Sequence, residues 1–148
     1  KNPRVIGVKN SSMPVQDIQM FKDAGGDDCI IFNGPDEQFI SGLMIGAEGA
    51  IGGTFGTMPK LFLKAEVCFK AGDFETARKV QYDIDSIIYA LCACKGSMYA
   101  VIKEVLRRNN NLDIGTVRAP FPQLVLEDLP QIEKCCRMIK EAEAKYCC

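Results

Sequence analysis

Two periods of apolar and polar residues divide this chain. In the first part short apolar runs recur: "RVIGV" at 4–8, "DCIIF" at 28–32 and "GAIGG" at 49–53. Bounded by turn residues and apolar on both sides, they read as strands of a sheet covered on both faces. Helical patterns separate them. Pro14 opens "PVQDIQMFKDA", which sets Val15, Ile18 and Phe21 near one face until Gly25 and Gly26 stop it. "DEQFISGLMIG" (36–46) is a short helix with Asp36 and Glu37 in its first turn, and "MPKLFLKAEVCFKAG" (58–72) is a helix that ends at Gly72. Strand and helix alternate three times, so residues 1–72 are expected to form three parallel β-α units.

Beyond Gly72 only the helical period remains. Asp73 is placed to cap a long helix reaching Cys94, with Ala77, Val80, Ile84, Ile87, Ile88 and Leu91 in one stripe. Ser97 opens another helix, a loop with two prolines ("RAPFPQL") follows, and a last helix carries acids at its start and lysines toward its end, as the helix dipole favours. Residues 73–148 are thus expected to be a helical extension.

Composition narrows the function classes. The 148 residues are 47% hydrophobic and carry a net charge of −1, so no electrostatic field points to nucleic acid or an anionic membrane. No apolar run approaches the roughly 18 residues of a membrane span, and neither a span nor a signal peptide is expected. The chain starts at Lys1, two residues before an apparent strand, which suggests a piece of something longer. Eight cysteines and no histidine are present, without a C-x-x-C pair. They read as reduced thiols used as small hydrophobic residues, and no metal site is expected.

Three segments could carry chemistry. If Ile6 and Val8 pack on helices, Val5, Gly7 and Lys9 point the other way, and Lys9 stands at the carboxyl end of its strand, where parallel α/β folds place their active sites. A lysine in an apolar pocket gives up its proton more readily and can attack a carbonyl to form a Schiff base. The plainer reading is a strand-end lysine in water. In "FNGPDEQF" the carboxylates of Asp36 and Glu37 either cap a helix or accept hydrogen bonds from a polyol. In "GAEGAIGGTFGTMP" the glycines either make tight turns or let backbone approach a ligand; no phosphate-binding motif is present.

Together, "GVKNSS", "FNGPDEQF" and "GAEGAIGGTFGTMP" resemble the dihydrodipicolinate synthase/N-acetylneuraminate lyase family of pyruvate-dependent class I aldolases. The resemblance runs through "KAGDFETARKVQ" and "RAPFPQL" to the last helix, and it covers only the C-terminal half of the family's barrel. Within the family, the run from Asn33 to Glu37 favours the sialic acid lyases. The resemblance implies the last three β-α units of a TIM (β/α)8 barrel followed by a helical extension. It implies reversible cleavage of N-acetylneuraminate to N-acetylmannosamine and pyruvate through an imine on Lys9, with no metal or organic cofactor. Ser11, Gly34, Asp36 and Glu37 would meet the sugar chain. Gly53 stands where the lyases carry a sugar-contacting serine, so either Thr54 substitutes or that contact is lost, leaving the acceptor aldehyde open. The family's proton-carrying tyrosine and carboxylate-binding loop belong to the missing N-terminal half. Tyr82, Tyr89, Tyr99 and Tyr146 lie in the helical part and do not match it. The resemblance further implies a cytoplasmic homotetramer. Two alternatives stay open: another pyruvate-dependent aldolase with a different acceptor, and an inactive interaction module.

Overall fold

The computed structural model describes residues 2–147; Lys1 and Cys148 lie outside them. Among the described residues the order is β1 (Gly7–Asn10), α1 (Asp17–Gly25), β2 (Ile30–Asn33), α2 (Phe39–Met44), β3 (Gly49–Ala50), α3 (Pro59–Lys70), α4 (Phe74–Cys92), α5 (Met98–Asn110) and α6 (Leu129–Tyr146). Short 3-10 turns at Asp36–Gln38 and Leu126–Asp128 lead into α2 and α6. The chain divides into two compact units, Lys1–Phe55 and Gly56–Cys148.

The first unit is a parallel sheet in the order β1-β2-β3. Lys9 is in register with Phe32, and Asn10 with Asn33. Ile18 of α1, Ile31 of β2 and Ala47 form its buried centre, and Val8, Val15, Cys29 and Ile45 pack against them. Alternation along β1 then turns Lys9 to the face opposite Val8.

The strands differ from their expected extents. The first begins at Gly7 rather than residue 4, because pairing, not apolar content, starts a strand. The Ile30 N–H donates to the Ile6 carbonyl at 3.1 Å. Before that point Val5 and Ile6 are 64% and 70% exposed. Lys9 is therefore the third of four strand residues rather than the first beyond the end. The third strand keeps only Gly49 and Ala50 of the expected five. Glu48 takes over at its start, where its carboxylate accepts the Ile31 N–H at 2.7 Å and the Lys22 ammonium. Desolvation pushes the Glu48 carboxyl up, but the Lys22 and Ile31 hydrogen bonds outweigh it and hold it below its ordinary value. On the outer side of β1 lies an apolar groove lined by Val5, Ile6, Val8, Phe21, Ala24 and Cys29.

The second unit is helical. α3 and α6 both pack on α4, and α5 packs on α6. The expected α4 stripe is its core: Ala77, Val80, Ile84, Ile87, Ile88 and Leu91 are each at most 2% exposed. Each large aliphatic side chain buried this way contributes about 1.5–3 kcal/mol. Asp73 and Ser97 cap α4 and α5 by accepting the N–H groups of Thr76 and Ala100 at 3.0 and 3.2 Å. The boundary read at Gly72 followed the β-α order, whereas packing places α3 with the helices after it. Among the described residues no helix is long and apolar enough to cross a membrane. The seven described cysteines are free thiols. Burial, helped by Cys94 and Cys136, pushes the Cys135 thiol up to about 11.

Asp128 ties this unit together. It is 2% exposed, and its carboxylate accepts the N–H groups of Lys95, Gly96 and Val125 at 2.7, 3.0 and 3.1 Å. Desolvation raises its pKa, but the three backbone donors prevail and leave it lowered. A lowered folded pKa means that the stabilisation is present above the unfolded value of about 3.9 and fades as pH falls through the folded one. Urea midpoints of the protein and of its Asp128→Asn variant, taken from pH 7 downward, should therefore converge below about pH 4. A constant gap between the two would contradict this role.

Candidate active site

Every candidate residue lies in the first unit, on or just after the carboxyl end of a parallel strand. Lys9 is exposed on β1, and Ser11 is exposed two residues on. Gly34 follows β2 and is buried, and a Cβ there would stand 2.3 Å from the Asn10 carbonyl oxygen and 2.7 Å from Ser11 Oγ. Only glycine lets the two strand ends meet, so Ser11 and Gly34 are neighbours.

The turn after β1 is pinned by polar contacts that spacing did not reveal. Asn10, 4% exposed, accepts the Ser12 N–H at 3.1 Å, and the Ser12 hydroxyl lies 2.6 Å from both Asn10 Oδ1 and Asp17 Oδ2. With one proton, that hydroxyl donates to one of the two at a time. After β2, Asn33 is 1% exposed and its Nδ2 donates to the Pro35 carbonyl at 2.7 Å. The strand that bears Lys9 thus ends in a fixed turn.

Asp36 and Glu37 part ways. Glu37 is exposed. Asp36 is 7% exposed, and its Oδ2 accepts both the N–H and the hydroxyl of Thr54, at 2.7 and 2.6 Å. Thr54 itself is 1% exposed. A Cβ on Gly52 would stand 1.3 Å from Asp36 Oδ1, so the loop backbone lies directly against the carboxylate. Phe55 anchors the end of this loop edge-on against Phe39, with ring centroids 5.4 Å apart. Gly53, between Gly52 and Thr54, is exposed.

The structure thus groups an exposed amine, an exposed carboxylate, a serine hydroxyl and a close-packed glycine backbone at one end of a parallel sheet, the end where such folds bind substrate. The amine can serve as a nucleophile toward a carbonyl. The carboxylate can accept hydrogen bonds from hydroxyls.

Comparison with known proteins gives the following. The model of the dihydrodipicolinate synthetase family matches residues 1–139. An N-acetylneuraminate lyase of Mediterraneibacter gnavus is 59% identical over 146 residues, which are 99% of this chain and 46% of that protein. A solved Ruminococcus gnavus sialic acid aldolase, described as a catalytic lysine mutant, superposes with a TM-score of 0.96 at 58% identity, covering 98% of this chain and 48% of the other. The N-acetylneuraminate lyase of Fusobacterium nucleatum complexed with pyruvate gives 0.77 at 26% identity, covering 98% and 46%. The chain spans about half the length of the curated relatives named here. With these neighbours, the fold is the last three β-α units of a TIM barrel followed by a helical extension.

Proposed function

This chain belongs to the dihydrodipicolinate synthetase family, and from that premise we propose that it is the C-terminal half of an N-acetylneuraminate lyase whose nucleophile is Lys9. The observation that carries the reading is the position of Lys9: on β1, facing away from the helix-packed side, with Ser11, Gly34 and Glu37 at the same strand ends. The high identity to a lyase that the chain matches almost from end to end supports it.

The chemistry follows from an amine and a keto acid. Lys9 Nζ adds to the C2 carbonyl of open-chain N-acetylneuraminate, and loss of water leaves a protonated imine. The C4 hydroxyl gives up its proton to the proton carrier and the C3–C4 bond breaks. The pair from that bond becomes the C2=C3 double bond of the enamine, as the C2=N pair moves onto the protonated imine nitrogen and neutralises it. N-acetylmannosamine leaves as the aldehyde, the enamine takes a proton at C3, and water releases pyruvate from Lys9. The imine is itself the electron sink, so the proposal includes no metal or organic cofactor. The proton carrier and the cradle for the pyruvate carboxylate would come from an N-terminal half, and the complete protein would be a cytoplasmic homotetramer. Gly53 in place of the lyases' serine favours a second reading, another pyruvate-dependent aldolase with a different acceptor. Rates on a panel of aldehydes separate the two.

The test is trapping. The complete barrel, incubated with pyruvate and reduced with borohydride, should gain one reduced pyruvyl group, and peptide mapping should place it on Lys9. An adduct on Lys22, which in the structure binds Glu48 and the Cys29 carbonyl, would refute the assignment.

A further inference from the structure

We infer that Gln38 is a positioning residue that clasps the loop after β1 to the turn after β2 and so fixes the spacing of the groups that meet the acceptor; the inference rests on the aldolase reading above. Gln38 closes the 3-10 turn Asp36–Gln38. Its Nε2 donates to the Met13 carbonyl at 2.9 Å, across 25 positions of chain. The same two segments meet again at their other ends, where a Cβ on Gly34 would stand 2.3 Å from the Asn10 carbonyl oxygen. Residues 10–13 and 34–38 are thus joined at both ends into one frame. One rim carries the exposed Ser11, the other carries Asp36 and the exposed Glu37. With the Gln38 bond in place the two rims keep a set distance; without it only the Gly34 end stays joined. Lys9 precedes the frame, so the pyruvate end of the site does not depend on the clasp.

The amide is costly to keep. Gln38 Oε1 is buried and has no partner among the described residues, and a buried acceptor without a donor destabilises. Met13 lies at the surface, 71% exposed, where water can replace the amide at its carbonyl. Methionine, apolar and of nearly the same length, would therefore fill the place of Gln38 at no loss to the fold. What glutamine adds is the bond to Met13, and local costs of this kind are expected where a residue serves the site.

Two variants of the complete barrel test this. Gln38→Met removes the donor, and Gln38→His places a ring N–H at about the same reach, neutral at about pH 8 because the ordinary imidazole pKa is about 6.5. Both are assayed for condensation of pyruvate with N-acetylmannosamine, for the KM of pyruvate, for borohydride trapping at Lys9 and for the thermal midpoint. Gln38→Met should raise the KM of N-acetylmannosamine about fivefold, roughly the worth of one neutral hydrogen bond, while kcat, the KM of pyruvate and the trapping yield stay within about twofold. Its thermal midpoint should match or exceed that of the unsubstituted protein. Hydrogen exchange of residues 11–16 should quicken in Gln38→Met, and Gln38→His should recover most of both losses. An unchanged KM of N-acetylmannosamine in Gln38→Met, or a Gln38→His as poor as Gln38→Met, would overturn the inference. A lowered midpoint or a parallel loss of trapping in Gln38→Met would reduce the residue to a fold contact and also overturn it. An unsubstituted protein that forms no adduct at Lys9 removes the aldolase reading, and this inference with it.

Discussion

Lys9→Arg leaves the complete barrel folded and without lyase activity. The expected fall in kcat is roughly 10⁴-fold or more, about 5.4 kcal/mol of barrier at 1.36 kcal/mol per tenfold. Arginine keeps the positive charge and most of the length, but its guanidinium does not deprotonate in proteins and cannot form the imine. Electrostatics and chemistry are thereby separated, and Lys9→Ala should be no more active than Lys9→Arg. Stability should hardly change, because Lys9 is exposed and surface substitutions away from special features usually fall within about 0.5 kcal/mol. Steady-state pyruvate release and a thermal melt on the same samples check both halves of the statement. Residual turnover within tenfold of the unsubstituted protein would mean that Lys9 is not the nucleophile.

The second large effect concerns residues 1–148 expressed on their own. They should release no measurable pyruvate from N-acetylneuraminate, and they should self-associate. A barrel closes with eight strands, and the described residues hold three. Among the described residues β1 is an edge strand of the sheet, beside the groove of Val5, Ile6, Val8 and Phe21, and an open apolar edge invites association. A proton carrier alone is worth about 10²–10⁴-fold in rate, so its loss suffices to silence the assay even where Lys9 still forms an imine. Adding the N-terminal half of the gnavus relative should restore a defined oligomer and activity. Light scattering and a coupled pyruvate assay decide the matter, and a soluble, active monomer would sink the prediction.

What the sequence revealed and what it hid divide along a physical line. Caps are local: Asp73 and Ser97 reach N–H groups three residues away, so their types and positions identify them. The α4 stripe is also local, since one helix's period states which face is buried. Strand ends are not local. "RVIGV" is apolar from Val5, yet the ladder begins at Gly7 because Ile30 is where the partner lies. The Asp36–Thr54 contact spans 18 residues and leaves no periodic trace. Read alone, "PDEQ" presents two equivalent carboxylates, and only the tertiary fold shows that one is buried and the other is not. The place of α3 in the helical unit was hidden for the same reason, because chain order says nothing about which neighbour a helix prefers.

The three residues after Ile51 differ sharply in how much change they tolerate. Gly52 admits no side chain without displacing Asp36, and Thr54 is buried and doubly bonded. Gly53 alone of the three is exposed. Drift in this loop is thus funnelled into a single codon, next to a scaffold that holds still. A lineage, or a laboratory library, that varies this end of the sheet has its freest step there, and saturation at that one position samples more usable variation than randomising the whole loop.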